Sequence, residues 1–406
     1  MSFLKKIIKI ASVNTFCQVF TIITLPYLTR VYSIEDFGIL AQLNGVLMVA
    51  YVCSCLRYDQ IIYTAENNKQ VNTALSLGFK SSLIITITIL FSVVVGLYFF
   101  HINYILLLIP FLTFIYSISQ LLTSYLVIKG EVSTLARSTV VKTISLIVGQ
   151  IVGYQIFEGK GLIFGLALSV IMQFFYIGVK TRSAFSYVSW KVKYSKSNTK
   201  KPIMSTIQSL LNAFSSQLPV MIIPSIYGVQ YNGLYSLATK LTQLPLILVT
   251  NAIRPIILGE INSNISDKQQ IKKIVVHGTG YLFVLSIIGI ILLNTFATDF
   301  FIWFSGPDWE YSGKIAGILA IWLLSAFANV FAVSYLTVIG KFKFLLQYEA
   351  FLMIFRILVI LFTFNGNIDF YSFVVLYSIV GMLFNLLLIS YSIFKAHIYA
   401  KTTLSN

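Results

Sequence analysis

The 406-residue chain is 57% hydrophobic and only 10% charged. Soluble domains carry about 25% charged residues, so this composition excludes a soluble globular protein and predicts that much of the surface contacts lipid. The net charge of +16 does not indicate nucleic-acid binding, because the 29 Lys and Arg residues fall mostly in short loops and form neither a zinc-finger spacing nor a basic stripe on a soluble face.

Uncharged stretches of about 20 residues recur along the chain, and a helix of that length crosses roughly 30 Å of hydrocarbon. They predict an all-α integral membrane protein with about 12 transmembrane helices. The predicted spans are residues 10–31, 37–57, 76–99, 104–128, 136–156, 161–179, 203–227, 233–256, 275–297, 314–339, 344–364 and 370–394.

Basic residues are concentrated in every second connection between the predicted spans. If both termini lie on one side, that side carries three lysines before the first span and seven Lys or Arg residues between 180 and 201. The opposite side holds little beyond Arg30, Lys160 and Lys314. Because an excess of Lys and Arg marks cytoplasmic loops, we predict cytoplasmic N- and C-termini.

The longest connection is the basic linker 181–202, which divides the chain almost in half. Residues 227–236 repeat residues 32–41 without gaps, with Tyr227 matching Tyr32 and Gly233 matching Gly38. This repeat predicts two pseudo-symmetric six-helix lobes, as in transporters that work by alternating access. The predicted domains are an N-terminal lobe (1–180), the cytoplasmic linker (181–202) and a C-terminal lobe with a short tail (203–406).

Polar side chains follow one face of the predicted helices 1, 4 and 7. Lipid disfavours such faces, so they either form hydrogen bonds between helices or line a hydrated cavity. Their occurrence in both lobes favours the cavity, although interhelical bonding stays open for any single stripe. The predicted lining residues are Asn14, Gln18, Gln120, Gln208 and Asn212, and Thr113 and Ser117 share the face of Gln120.

Five cations are candidate substrate contacts. Lys240 lies about 10 Å inside the predicted helix 8, and Arg356 about 18 Å inside helix 11. A charge at the bilayer centre costs on the order of 3 kcal/mol or more, so each needs water or an anion. Snorkelling is the alternative for Lys240, and pairing with a carbonyl or Glu349 is the alternative for Arg356.

The other three candidates are Arg30 at the outer mouth and Arg57 and Arg254 at the inner mouth. Singly they are ordinary interfacial anchors, but together they would surround both openings of a cavity with positive charge. No Asp or Glu lies in the middle of a predicted span, although a proton or sodium relay usually needs one. The predicted cavity is therefore basic and suits an anionic substrate.

Prolines interrupt the matching first helices of the two lobes. Pro26 lies in helix 1, and Pro219 and Pro224 lie in helix 7. Proline removes a backbone hydrogen bond, so these residues are candidate hinges, with static kinks as the alternative. The sequence has no Ser-His-Asp spacing, phosphate-binding glycine loop or metal-ligand cluster, so we expect no catalytic residue, metal or cofactor and a protein that is not an enzyme.

Three motifs resemble those of a known family. They are LPYLTRVYSIEDFGILA (25–41), LRYDQIIYTAEN (56–67) and FSGPDWEYSGKIAGILA (304–320). The chain resembles the Wzx-type O-antigen and capsule flippases of the multidrug/oligosaccharidyl-lipid/polysaccharide exporter superfamily. The resemblance implies the exporter-superfamily fold, with the chain in the bacterial cytoplasmic (inner) membrane.

This resemblance also implies a function. The expected substrate is an undecaprenyl-diphosphate-linked oligosaccharide, moved from the cytoplasmic to the periplasmic leaflet for O-antigen (lipopolysaccharide) or capsule biosynthesis. Implied partners are membrane lipids, a polysaccharide polymerase and a chain-length regulator, with no nucleic acid. The alternatives are a cation-coupled multidrug exporter of the same fold, for which a buried carboxylate is expected, and an integral-membrane polymerase or acyltransferase.

Overall fold

A computed structural model describes residues 3–63, 65, 67–100, 104–194, 196–264 and 267–401. Within these ranges the regular structure is α-helical, with three short 3-10 turns and no β-strand. The helices are α1 (Phe3–Val31), α2 (Ile34–Ser54), α3 (Tyr58–Tyr63), α4 (Asn68–Phe100), α5 (Leu108–Ile128), α6 (Val132–Phe157), α7 (Gly161–Lys180), α8 (Arg182–Ser186), α9 (Lys196–Ile226), α10 (Val229–Ser263), α11 (Lys268–Ser305), α12 (Glu310–Ala328), α13 (Val330–Val338), α14 (Phe342–Asn365) and α15 (Phe370–Lys401).

The predicted spans coincide with these helices. Among the described residues, ten stretches are long and apolar enough to cross a membrane, and one of them, Val132–Lys180, contains both α6 and α7. Helix α1 lies outside these ten but covers the predicted span 10–31. The span 314–339 is divided at Asn329 into α12 and α13. The prediction of an all-α, multi-pass membrane protein is therefore confirmed.

The chain forms two compact units, Met1–Pro224 and Ser225–Asn406. The first contains α1 to α8 and nearly all of α9, and the second contains α10 to α15. The two-lobe organisation expected from the internal repeat is thus present. The exact domain limits at 180 and 202 stay predictions.

In the first unit, α6 and α7 are the most extensively packed helix pair among the described residues. Each carries two glycines spaced four residues apart, and these face each other across the contact. A Cβ added to Gly149 would lie 2.8 Å from the Cα of Gly165, and one added to Gly153 would lie 2.9 Å from the Cα of Gly161. Small residues at this spacing let two backbones approach closely inside a membrane, where apolar burial cannot drive helices together.

Tyr32 fixes the turn between α1 and α2 to this helix pair. Its hydroxyl donates a hydrogen bond of 2.6 Å to the carbonyl oxygen of Gln150 on α6, and its ring packs edge-on against Tyr154. Burial, reinforced by Asp36, raises the pKa of Tyr32 to about 12, so the hydroxyl stays a donor at neutral pH. Ser33 and Asp36 then form a capping box that starts α2.

The linker lies against the N-terminal half of α4. Lys80 donates to the carbonyl oxygens of Trp190 and Val192, at 2.5 Å each. The hydroxyls of Ser76 and Ser81 bond to linker residues on either side of these contacts. Most of the linker before α9 is therefore attached to the first unit.

The second unit repeats the tyrosine contact. The Tyr227 hydroxyl donates a hydrogen bond of 3.1 Å to the carbonyl oxygen of Ile368, just before α15, and the Tyr227 ring packs on Phe370. Helices α11 and α12 approach closely at Gly313, where an added Cβ would lie 2.5 Å from the Cα of Thr298. The repeat found in the sequence thus corresponds to a shared way of anchoring the first turn of each unit.

Candidate functional site

Arg57 occupies a strained turn that ends the second predicted span. Leu56 and Arg57 have φ angles of 47° and 53°, in the left-handed region that non-glycine residues rarely occupy. The Arg57 Nη1 atom lies 3.6 Å from the Oδ2 of Asp59, and both side chains are largely buried. The thiol of Cys55 donates to the other Asp59 oxygen. Arg57 and Asp59 of the motif LRYDQIIYTAEN (56–67) therefore form a largely buried ion pair.

Two tyrosines inside the first unit connect this ion pair to a second cation, Lys142. Arg57 donates to the hydroxyl of Tyr51 at 3.5 Å, and the Tyr51 ring packs edge-on against Tyr116 with centroids 4.7 Å apart. The Nζ of Lys142 lies 5.0 Å from the centroid of the Tyr116 ring. Two cations are thus joined through two tyrosines that come from α2 and α5.

A pocket lies beside Lys142 in the same unit. Its cavity volume is about 50 Å³, and its wall is formed by residues of α2, α5, α6 and α7. The polar groups in its wall are Asn44, Thr113, Tyr116 and Lys142, and its other lining residues are apolar. Thr113 is fully buried, and its Oγ1 has no hydrogen-bond partner among the described residues. The pocket therefore contains one positive charge, on Lys142, and a buried hydroxyl, on Thr113, that is available to a ligand.

Arg356 lies in the interior of the second unit. It is the fifteenth residue of α14, about 21 Å from the first, and only 3% of its surface is exposed. Its guanidinium carbon lies 4.5 Å from the centroid of the Trp322 ring on α12 and 4.8 Å from that of Tyr377 on α15. Two aromatic faces thus stabilise a cation that hydrocarbon would disfavour. Its role as a substrate contact stays a prediction.

The second unit also carries a polar stripe along α10. Lys240, Gln243, Thr250, Asn251 and Arg254 fall on one face at helical spacing. Lys240, Asn251 and Arg254 are exposed, and Gln243 and Thr250 are partly buried. The stripe runs over 15 residues, and its two ends are about 21 Å apart. Because α10 begins at Val229, Lys240 lies about 16 Å from its start, deeper than the sequence predicted.

The middle of this stripe forms one side of an open groove of about 300 Å³. Gln243, Thr250 and Asn251 contribute its polar side, and the facing wall comes from apolar residues of α12 and Val330 of α13. An amphipathic groove of this kind suits a ligand with polar groups on one side and apolar surface on the other.

Apart from Thr113, which lines the pocket, the remaining candidates are not among the residues that line the pocket or the groove. Arg30 is exposed and donates to the carbonyl oxygen of Pro26 at 2.9 Å. Asn14, Gln208 and Asn212 are exposed, and Gln18 and Gln120 are partly buried. Thr113 and Ser117, on the face of Gln120, are fully buried. Whether these residues line one cavity stays a prediction.

The candidate hinge prolines lie inside continuous helices. Helix α1 runs through Pro26, and α9 runs through Pro219 and Pro224. A helix that continues through a proline can have a static kink there, or it can bend during transport. Their role as hinges stays a prediction.

Sequence reasoning missed Lys142. The predicted span 136–156 places it within two turns of a helix end, where a lysine is unremarkable. Helix α6 instead begins at Val132, so Lys142 lies about 15 Å inside it. The polar stripe containing Thr113 was the available signal, because it predicted that this face of α5 meets protein or water.

Comparison with known proteins yields one family and several solved structures. The family described as "Polysaccharide biosynthesis protein" matches residues 27–314, which is more than half of the chain. No curated protein matches the sequence.

Two solved structures illustrate the similarity of fold. The inward-facing conformation of a multidrug resistance MATE family transporter of the MOP superfamily is 13% identical, with a TM-score of 0.72, and the match covers 96% of this chain and 99% of that one. A MOP superfamily transporter from Pyrococcus furiosus, described as having a binding pocket of reverse polarity that suggests a different function, is 13% identical, with a TM-score of 0.62. The match covers 97% of this chain and 96% of that one.

Proposed function

Because the chain belongs to the polysaccharide biosynthesis protein family and has the fold of the MOP-superfamily transporters, we propose that it is a flippase for undecaprenyl-diphosphate-linked oligosaccharides. It moves complete repeat units from the cytoplasmic to the periplasmic leaflet of the bacterial inner membrane, for O-antigen or capsule biosynthesis. Both termini face the cytoplasm, and a polymerase and a chain-length regulator use the product.

The observation that carries this proposal is the polar stripe on α10. Helix α10 contains one of the stretches able to span a membrane, yet Lys240, Asn251 and Arg254 are exposed along one face of it. Exposed cations in contact with hydrocarbon are unfavourable, so this face is suited to water or to a ligand. A stripe about 21 Å long with a cation at each end provides successive contacts for an anionic group that crosses the bilayer.

A lipid-linked glycan needs such a path. Each sugar hydroxyl costs several kcal/mol to transfer into hydrocarbon without a hydrogen-bond partner, so uncatalysed flipping is negligible. Arginine and lysine side chains neutralise the diphosphate, and arginine also binds phosphate through paired hydrogen bonds. The polyprenyl tail stays in lipid throughout.

The residues are assigned the following roles in this proposal. Arg30, Arg57, Lys240, Arg254 and Arg356 contact the diphosphate or acidic sugars at successive stages of alternating access. Polar residues of α1, α5 and α9 bind the glycan, and the prolines of α1 and α9 allow these helices to bend. The polar lining residues are Asn14, Gln18, Gln120, Gln208 and Asn212, and the hinges are Pro26, Pro219 and Pro224.

A multidrug exporter is the second candidate, since one structure with this fold is described as a multidrug resistance transporter. A binding site for cationic drugs is expected to include carboxylates. The α10 stripe contains none and carries two cations instead, so its charge favours an anionic substrate. The two candidates therefore differ in the sign of the charge they require on α10.

The experiment is deletion of the gene, followed by determination of the leaflet in which the lipid-linked oligosaccharide accumulates. Accumulation of complete units on the cytoplasmic face, reversed by the wild-type gene but not by a Lys240→Ala/Arg254→Ala variant, supports the proposal. The matched control is Lys314→Ala, an exposed lysine that pairs with Glu310. Unpolymerised units on the outer face would favour an enzyme, and drug sensitivity without accumulation would favour the exporter.

A further inference from the structure

We propose that the pocket beside Lys142 binds one small monovalent anion, of the size of chloride. The pocket is built from α2, α5, α6 and α7, all of which belong to the unit Met1–Pro224. It is distinct from the α10 stripe, and the inference does not depend on the identity of the transported substrate.

The charge of the pocket comes from Lys142. This residue lies about 15 Å inside α6, is only partly exposed, and lines the pocket with no carboxylate among the other lining residues. The described residues include no ion pair between Lys142 and an acid. The Tyr116 ring face, 5.0 Å from Nζ, offsets part of the cost of burying the ammonium. The remaining positive charge repels cations and attracts an anion.

The hydrogen-bonding groups of the pocket also favour an acceptor. A lysine ammonium has three donors and no acceptor, and the Asn44 amide and Thr113 hydroxyl can each add a donor. Thr113 is fully buried, and its hydroxyl oxygen has no partner among the described residues. An unsatisfied buried hydroxyl is unfavourable, so a ligand that accepts a hydrogen bond from it is stabilised.

The rest of the wall favours a small ligand that carries a single negative charge. Leu47, Leu112 and Val170 are among the apolar lining residues. Apolar surroundings strengthen the attraction between the ammonium and an anion, because they lower the local dielectric constant. They also disfavour a second negative charge, since the lining provides one cation to neutralise it. A halide is small, carries one negative charge and accepts hydrogen bonds. It has no further polar atoms that the apolar wall would leave unsatisfied.

Binding can be measured on the full chain, purified in a neutral detergent. Radioactive chloride is equilibrated with the protein at fixed sodium concentration and ionic strength, with gluconate as the replacing anion. We expect saturable binding of one chloride per chain, displaced by bromide and not by gluconate. Absence of saturable binding, or equal displacement by gluconate, overturns the proposal.

Three variants test the assignment to this pocket. Lys142→Gln is expected to weaken chloride binding by about tenfold or more, because it removes a charge-assisted hydrogen bond. Lys142→Arg retains the charge and is expected to retain binding. Thr113→Val keeps the shape of the side chain and the charge of the pocket, and a several-fold loss is expected because only the hydroxyl is removed.

The matched control is Lys160→Gln. Lys160 also lies over a tyrosine ring, with Nζ 5.7 Å from the centroid of Tyr104, but it is exposed and does not line the pocket. Binding should be unchanged in this variant. If Lys142→Gln and Thr113→Val both elute as monodisperse protein and bind chloride as tightly as the wild type, the site is not at Lys142.

Discussion

Tyr32 and Tyr227, which match in the internal sequence repeat, each donate a side-chain hydrogen bond to a distant backbone carbonyl oxygen within their own unit. Tyr32 bonds to Gln150 at 2.6 Å, and Tyr227 bonds to Ile368 at 3.1 Å. A buried carbonyl that loses its donor is costly, so each contact fixes the first turn of its unit against a later helix or loop. The repeat therefore has a structural cause that can be tested with single substitutions.

Tyr32→Phe should lower the free energy of unfolding by about 1 kcal/mol, because it removes the hydroxyl and leaves the Gln150 carbonyl oxygen without this donor. Thermal unfolding of the purified protein measures the effect. The control is Tyr98→Phe on α4, where the side chain is 77% exposed. Equal stability of Tyr32→Phe and Tyr98→Phe would contradict the assignment.

Gly165→Ala should destabilise the first unit by about 1–3 kcal/mol, because the added Cβ would lie 2.6 Å from the backbone nitrogen of Gln150. Gly178→Ala, on the same helix, is the matched control, since nothing lies within 4 Å of its added Cβ. Alanine favours helices over glycine, so the control should be neutral or slightly stabilising. A similar loss in both variants would show that the α6–α7 contact is not close at Gly165.

Arg57→Gly should be at least as stable as Arg57→Ala, which reverses the usual preference for alanine. Both variants lose the contact with Asp59, but only alanine keeps a side chain at a φ of 53°. Comparing the two melting temperatures isolates the strain of the turn. A clearly more stable alanine variant would mean that the turn relaxes once the arginine is removed.

Arg356→Ala should abolish complementation of a gene deletion while the protein remains in the membrane. The change removes a buried cation that packs between the rings of Trp322 and Tyr377. Arg356→Lys keeps the charge but loses the planar group that stacks, so partial activity is expected. Lys314→Ala, which removes an exposed cation over Tyr311, is the control. Full activity of Arg356→Ala would exclude Arg356 from the transport path.

Lys80→Met should release the linker and accelerate cleavage by trypsin at Lys191 and Lys193. The wild-type ammonium holds the carbonyl groups of Trp190 and Val192, and methionine cannot donate to them. Lys69→Met, an exposed position at the start of the same helix, removes a lysine without affecting the linker. Cleavage rates that do not differ between the two variants would show that other contacts suffice to hold the linker.

The sequence predicted the helices well because hydrocarbon thickness is a strong constraint on the length of an apolar stretch. It predicted helix ends less well, since helices continue beyond the hydrocarbon as polar segments. Lys240 and Lys142 show the consequence: both lie deeper in their helices than the apolar stretches suggested, and Lys142 was overlooked as a site residue.

The surroundings of Arg356 show a different limit. Its position in the middle of a span predicted contact with water or an anion, and that role stays a prediction. The sequence did not predict its two aromatic partners, Trp322 and Tyr377, which lie 34 residues before it and 21 residues after it in the sequence. Aromatic residues are common in membrane helices, so no local pattern marks these two as partners of an arginine. Only the packing of α12, α14 and α15 brings the three together.

The attachment of Lys80 to the linker also predicts the depth of α4 in the bilayer. Helix α4 is 33 residues long, or about 50 Å, which exceeds the roughly 30 Å of hydrocarbon. An ammonium bonded to the carbonyl groups of a basic loop is most stable near water, so we expect Lys80 to lie near one edge of the hydrocarbon. Residues 81–100 extend about 30 Å beyond Lys80, which is one bilayer thickness, so this contact would place the rest of α4 across the membrane.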